Sequence, residues 1–277
     1  MEVEIQANAK VNLALDVLRE REDGYHEIDT IMQEISLHDT LTIEKGRGGF
    51  VLACDEPKLR LDDSNLIYKA WNALRDRVED PSVIIEIEKR IPIAAGLAGG
   101  SADAAATLRG LNELWGLELS REELENIAAT IDSDSSFFIR GGTQRARGRG
   151  EILTPLPSFY GRPLLLINTG DTLSTRSVYE KTRVNGRIPI SELVDYLGME
   201  RTKAYSLMQN QLEIASFEML PKLKEIKMEL QKTGALVSMM SGSGPTIFAI
   251  YEAMDEAEKA QHLFESKFPF VFLARTV

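Results

Sequence analysis

Short stretches of alternating or continuous apolar character open the chain at Val3–Gln6, Val11–Leu18, Glu34–Leu37 and Leu41–Glu44, and they predict strands. Gly46, Gly48 and Gly49 mark a turn before a further strand at Phe50–Cys54. The period then changes to that of a helix. Ser64 is a candidate N-cap for a helix from Asn65 to about Val78, with Ile67, Ala70, Trp71 and Leu74 on its apolar face. Val83–Ile87 reads as a strand. A second helix is expected from near Ser101 to Trp115, with Ala105, Leu108, Leu111 and Trp115 inward, and a third from Ser120, where Ser120 and Glu123 match a capping box. Phe137–Ile139, Gly141 and Gly142 predict a return to extended chain.

Pro155, Pro157, Gly161 and Pro163 mark the best candidate boundary, dividing the chain into 1–156 and 157–277. Beyond it, Leu164–Asn168 is a buried-strand candidate. Helical patterns follow at Ser177–Thr182, Ser191–Leu197 and Glu213–Thr233, the last with a charge-rich face around Lys222–Lys232 that suits solvent. Ala235–Met239 and Thr246–Tyr251 predict a strand pair around a Gly/Ser turn, with Met239 and Met240 as core filler. A helix at Met254–Lys267 and a strand near Phe270–Ala274 close the pattern. Helices and strands mixed in this way predict an α+β or α/β class.

The 277 residues are 43% hydrophobic, enough for a large core, and carry a formal net charge of -11. That sign opposes general binding of nucleic acid or an acidic membrane. Cys54 is the single cysteine, so an intrachain disulfide and a cysteine-rich metal site are both excluded, and His26, His38 and His262 lack metal-ligand spacing. The first residues match neither a secretory nor a transit pattern, and no apolar run approaches membrane-spanning length. A mature cytoplasmic protein is the expectation.

The strongest chemical signal is Pro92-Ile93-Ala94-Ala95-Gly96-Leu97-Ala98-Gly99-Gly100-Ser101-Ala102-Asp103, set after a strand and before an alanine-rich helix. Small residues let the backbone curl close to a ligand, and free N–H groups at a helix start favour an anion such as phosphate. Neither a Walker A loop nor a Gly-x-Gly-x-x-Gly fingerprint is matched. A glycine turn that only permits tight packing explains the same residues. The Ser101 hydroxyl suits a helix cap, a phosphate or a metal.

Ala9-Lys10-Val11-Asn12-Leu13, the Gly96–Ser101 loop and Ser241-Gly242-Ser243-Gly244-Pro245-Thr246 together resemble the GHMP kinases, the group of galactokinase, homoserine kinase, mevalonate kinase and phosphomevalonate kinase. The three lie in the same order and span the whole chain. Arg21-Glu22-Asp23-Gly24-Tyr25-His26-Glu27-Ile28, Asp63–Ile67 and Gly148–Leu153 are similar to the family members that phosphorylate the tertiary 2-hydroxyl of a cytidine diphosphate methylerythritol in non-mevalonate isoprenoid synthesis.

The resemblance implies a two-domain α+β fold with the active site in the cleft between domains. It implies ATP phosphates on Ala94, Ala95, Gly96, Leu97, Ala98, Gly99, Gly100, Ser101 and Ala102, with Asn65 and Lys89 toward the adenine. By the same likeness His26 reads the cytosine edge, Tyr25 and Tyr179 flank the base, Asn12 and Thr175 hydrogen-bond the substrate, and Gly242 and Ser243 lie at the acceptor. Lys10 pairs with an aspartate at the reacting hydroxyl. The family motif Gly-Ala-Asp-Val-Pro before an aromatic maps onto Asp132-Ser133-Asp134-Ser135-Ser136-Phe137, which selects Asp134 and leaves Asp132 as a lesser candidate. The chain departs from that motif at Asp132, Ser135 and Ser136, and it has Ala94 and Ala98 where the family often has glycine. Mg²⁺ is expected to enter with ATP, with no dedicated protein ligand.

Without the likeness, Lys10 reads as a solvated lysine, Tyr25 and His26 as turn residues, Tyr179 as packing, and Trp71 and Trp115 as core. The competing functions are another kinase of the family, acting on homoserine or a mevalonate derivative, and a nucleotide-binding regulator without turnover.

Overall fold

The computed structural model describes residues 2–184, 186–199 and 201–277. The chain is α+β and forms two compact units that interleave in sequence: Met1–Ala9, His38–Ile93 and Ala98–Gly141 make the first, and Lys10–Leu37, Ala94–Leu97 and Gly142–Val277 the second. The first unit lies within residues 1–156, and the second takes in all of 157–277.

Two long strands, β1 (Glu2–Glu20) and β2 (His26–Lys45), contribute to both units. Each covers a stretch that the hydropathy pattern divides into separate strands. The reason is burial: every residue of Ala9–Val17 is buried, so the period-2 signal vanishes where both faces are covered, while Glu34–Ile43 alternates strictly.

In the first unit, β2 pairs antiparallel with β4 (Val83–Glu88), from Thr40 opposite Glu88 to Lys45 opposite Val83. Strand β3 (Phe50–Cys54) adds to β4 in parallel. Helix α1 (Leu66–Leu74) packs on α2 (Gly99–Trp115), burying the expected Ile67, Ala70, Trp71 and Leu74. Its N-cap is Asn65 rather than Ser64, because the Asn65 side chain accepts the Ile67 N–H. On α2, Ala105, Leu108 and Leu111 are buried as expected. Trp115 is only half-buried; Leu114 takes the inward place. The close approach of α2 to β2 requires Gly110, where a Cβ would lie 2.5 Å from Ile43 Cδ1. Helix α3 (Arg121–Ala128) carries the Ser120–Glu123 capping box.

Phe137–Ile139, expected to be extended, belongs instead to helix α4 (Ser135–Arg140). All three are buried, so an aromatic and β-branched triplet loses its helical period, and Asp132 starts the helix by accepting the Ser135 N–H.

In the second unit, β2 pairs antiparallel with β5 (Thr143–Gly148), and β5 with β6 (Ile152–Pro155). A separate antiparallel sheet has the order β10-β7-β9-β8, from β7 (Pro163–Asn168), β8 (Val237–Met240), β9 (Ile247–Ile250) and β10 (Phe270–Arg275). Its core joins Leu165, Ile167, Met240, Ile247 and Ala249 to Leu223, Ile226 and Leu230 of α9 (Lys222–Gln231) and to Ala257, Ala260 and Phe264 of α10 (Met254–Phe264). Helices α5 (Thr175–Lys181), α6 (Ile190–Leu197), α7 (Arg201–Leu207) and α8 (Glu213–Met219) complete the unit. The pattern foresees no α7. The single helix expected at Glu213–Thr233 divides at Leu220, because Pro221 lacks an N–H and drives the preceding residue to φ -139°, ψ 80°. Among the described residues no helix is long and apolar enough to cross a membrane.

Candidate active site

In the second unit, Lys10 leaves little of itself to solvent and its ammonium is directed inward. Its Nζ donates to Asn12 Oδ1 at 2.7 Å and to the Gly96 carbonyl at 3.1 Å, and its main-chain N–H donates to the Leu97 carbonyl at 3.1 Å. These bonds fasten β1 to the glycine loop. Asn12 is oriented in turn, since its Nδ2 donates to Thr30 Oγ1 at 2.8 Å and Thr30 donates to the Ala14 carbonyl. The order Lys-x-Asn on a strand puts both side chains on one face, two residues apart.

The Gly/Ser turn after β8 meets the same loop. Ser241 Oγ donates to the Gly96 carbonyl at 2.9 Å, and a Cβ on Gly96, whose φ is +76°, would lie 2.3 Å from the Ser241 carbonyl oxygen. Gly242 also comes close, with a Cβ there 3.1 Å from the Gly96 oxygen and 3.5 Å from Lys10 Nζ. Asn210 fixes the turn, its Nδ2 donating to the Met240 and Gly242 carbonyls at 2.8 Å each. Ser243 Oγ is 2.9 Å from Thr175 Oγ1. His26 and Tyr179 are in ring contact, with centroids 5.1 Å apart. Tyr25 is 55% exposed and carries the Arg149 guanidinium over its ring at 5.0 Å. Lys10, Asn12, Gly96 and Gly242 thus form one cluster, Thr175 with Ser243 a second contact, and His26 with Tyr179 a third.

In the first unit, Ala98 adopts a left-handed conformation (φ 55°) as the N-cap of α2 without a side-chain cap bond. Ser101 is the third helical residue rather than the cap, and its hydroxyl donates to Asp132 Oδ2 at 2.5 Å. Gly99 permits close approach, because a Cβ there would lie 2.9 Å from Ile91 Cγ2 and 3.4 Å from Lys89 Nζ. Ala102 is buried in the helix and Gly100 faces Leu66. Asp134 occupies the N-cap position of α4 and is half-buried. Asn65 spends its amide on structure, capping α1 and donating to the Arg60 carbonyl at 2.6 Å.

Lys89 lies between two carboxylates, with Nζ 2.5 Å from Asp39 Oδ2 and 2.8 Å from Asp103 Oδ2. Burial lowers the affinity of its amine for a proton, but the two carboxylates outweigh burial and the pKa is raised. Asp103 is pushed up to about 7, by burial first, with Lys89 opposing and Asp39 adding to the rise. Its Oδ1 is buried without a hydrogen-bond partner.

The expectations from sequence miss this triad, Asn210 and the Ser101–Asp132 bond. A signal for the triad exists: Asp39 falls between Leu37 and Leu41 at the inward parity of β2, where a carboxylate demands a partner. Asn210 has no such signal, since its partners lie 30 and 32 residues away on a turn. No group of three or more histidine, cysteine or acidic side chains among the described residues is arranged to hold a metal.

Residues 65–142 match the model of the GHMP kinases N terminal domain, and residues 200–269 that of the GHMP kinases C terminal. A protein of Thermoanaerobacter pseudethanolicus named 4-diphosphocytidyl-2-C-methyl-D-erythritol kinase is 39% identical over 99% of this chain and 96% of its own. One of Acetivibrio thermocellus with the same name is 42% identical over 92% of both chains. A crystal structure of 4-(cytidine 5'-diphospho)-2C-methyl-D-erythritol kinase superposes with a TM-score of 0.84 at 33% identity, covering 99% of this chain and 98% of that one. The homoserine kinase of Cytophaga hutchinsonii, at TM-score 0.78 and 18% identity, shares the fold. With likeness running from end to end, and with the β1 lysine, the glycine loop and the Gly/Ser turn bonded to one another, the chain belongs to the GHMP kinase family, on the branch of the 4-diphosphocytidyl-2-C-methyl-D-erythritol kinases.

Proposed function

We propose that this chain transfers the γ-phosphoryl group of ATP to the 2-hydroxyl of 4-diphosphocytidyl-2-C-methyl-D-erythritol, in the cytoplasm, as a step of non-mevalonate isoprenoid synthesis. The observation that carries the reading is likeness at 39% and 42% identity over nearly the whole length to proteins bearing that name. The homoserine and mevalonate kinases, at 18% and 19% identity, lend no comparable support to their own acceptors.

The acceptor hydroxyl has a pKa far above that of a carboxylate, so its proton leaves as the new bond forms rather than before. The hydroxyl oxygen attacks the γ-phosphorus, the bond to the β,γ-bridging oxygen breaks, ADP departs, and Asp134 receives the proton. The N–H groups of the Gly96–Ser101 loop and the start of α2 cradle the phosphates, Lys10 offsets charge on the γ-oxygens, and Asn12 orients Lys10. His26 reads the cytosine edge, with Tyr25 and Tyr179 against the base and Thr175, Gly242 and Ser243 toward the acceptor. The Asn65 amide is spent on α1 and the Arg60 carbonyl, and the Lys89 ammonium on Asp39 and Asp103, so neither side chain is assigned to the adenine. Magnesium enters as the ATP complex, held mostly by phosphate oxygens and water.

The test is ADP release with the cytidine compound, homoserine and mevalonate offered separately. Turnover with the cytidine compound alone is expected; turnover with either of the others instead removes the assignment. Asp134→Asn should lose about a thousandfold in kcat, on the order of a lost proton acceptor, while ATP affinity by titration calorimetry stays within about threefold.

A further inference from the structure

The structure gives Asp132 two bonds. Its Oδ2 accepts the Ser101 hydroxyl at 2.5 Å, and its Oδ1 accepts the Ser135 main-chain N–H at 2.8 Å. Ser135 completes the joint by donating its own hydroxyl to the Ser101 carbonyl at 3.3 Å. Ser101 lies in the first turn of α2 and Ser135 is the first residue of α4, and both are buried. Asp132 therefore fastens the start of α2 to the start of α4, beside Asp134.

Two consequences follow from the chemistry. A hydroxyl has one proton, and Ser101 gives it to Asp132, so Ser101 has none left for a phosphate oxygen while that bond stands. The bond from Ser135 N to Asp132 Oδ1 also closes a short ring around Ser133 and Asp134, which fixes the main chain from which the Asp134 side chain projects. The negative charge of Asp132 is favoured close to the positive end of the 17-residue α2.

We infer that Asp132 is a positioning residue for phosphoryl transfer, holding Ser101 as a proton donor spent internally and setting the direction of Asp134. The inference rests on the proposed kinase reading, and it assigns Asp132 neither the acceptor proton nor a metal.

Three variants test it: Asp132→Ala, Asp132→Asn and Ser101→Ala. Asparagine retains one oxygen for the Ser135 N–H, and its amide can donate to Ser101 Oγ, so it keeps the link between the two helices while removing the charge and freeing the Ser101 proton. Asp132→Ala is expected to lower kcat about ten- to a hundredfold, the scale of a misplaced group, with KM for ATP unchanged; Asp132→Asn should recover most of the rate. Ser101→Ala removes the donor to Asp132 Oδ2 and should lower kcat in the same direction as Asp132→Ala. Hydrogen–deuterium exchange across 133–138 should rise in Asp132→Ala and not in Asp132→Asn. Wild-type kcat in Asp132→Ala or in Ser101→Ala, equal losses in the alanine and asparagine variants of Asp132, or unchanged exchange would each overturn the inference. Failure of the wild-type chain to turn over any acceptor strikes the kinase reading instead, and the exchange result still decides whether Asp132 holds the segment.

Discussion

Replacing Gly96 by alanine separates backbone strain from steric exclusion at the glycine loop. The residue has φ +76°, which costs a side-chain-bearing residue about 1–2 kcal/mol. Gly24, at φ +79° with nothing within 4 Å of where an added Cβ would stand, carries that cost alone and serves as the control. At Gly96 the added Cβ would also lie 2.3 Å from the Ser241 oxygen, 3.0 Å from the Gly244 oxygen and 3.2 Å from the Gly244 nitrogen. All three are main-chain atoms, so no side chain can swing away. Relief requires residue 96 and the 241–244 turn to move apart, and movement of residue 96 strains the bonds from Ser241 Oγ and Lys10 Nζ to its carbonyl. Losing a neutral and a charged bond costs roughly 1 and 2 kcal/mol. The total for Gly96→Ala is then about 4–5 kcal/mol, against about 1–2 for Gly24→Ala. For a chain of this size that corresponds to a fall in melting temperature of about 10 °C or more, against about 3–5 °C for the control. Circular dichroism melts of the two variants, with ADP-release rates beside them, make the comparison. If both melt within about 2 °C of each other, the close approach of loop and turn is not what requires glycine, and the reasoning fails.

The buried triad predicts a pH dependence. Asp103 titrates near 7 in the folded chain, above its ordinary value of 3.8, so folding favours its protonated form. That contribution is full below about pH 4 and is lost as pH rises to about 7. Asp103→Asn should flatten the change of melting temperature between about pH 4 and 7, and should gain on the wild type at the upper end. A variant whose melting curve keeps the wild-type pH slope refutes the assignment. Asn210→Ala removes the donor to two carbonyls and the acceptor of the Leu212 N–H, and should cost about 2–3 kcal/mol. Urea titration reads that loss, and activity should fall with it because the Gly/Ser turn loosens.

Much of this arrangement is legible in the chain itself. Lys10, Asn12 and the glycine loop are legible through the likeness of their short motifs to the GHMP kinases, and the structure bonds Lys10 to both of the others. The α1 face and the α3 capping box are visible because each is a pattern within a few positions. Helix α4 is hidden because its apolar residues are buried on all sides, which erases the periodicity that would identify it. The division of α8 from α9 is written in Pro221, where the missing N–H outweighs an otherwise continuous amphipathic pattern. Asn210, Asp39 and Asp132 each bond a partner 30 to 52 residues away, and those pairings exist only after folding.

Ala94 and Ala98 both sit at left-handed dihedrals, φ 54° and 55°, which glycine would occupy freely. An alanine held there raises the energy of the native chain, yet it also narrows the range of shapes the loop can sample. An anion arriving at such a loop finds its curve already drawn, and little motion remains to be frozen on capture. If the loop holds phosphate as proposed, part of that grip is laid down during folding, as strain at two alanines.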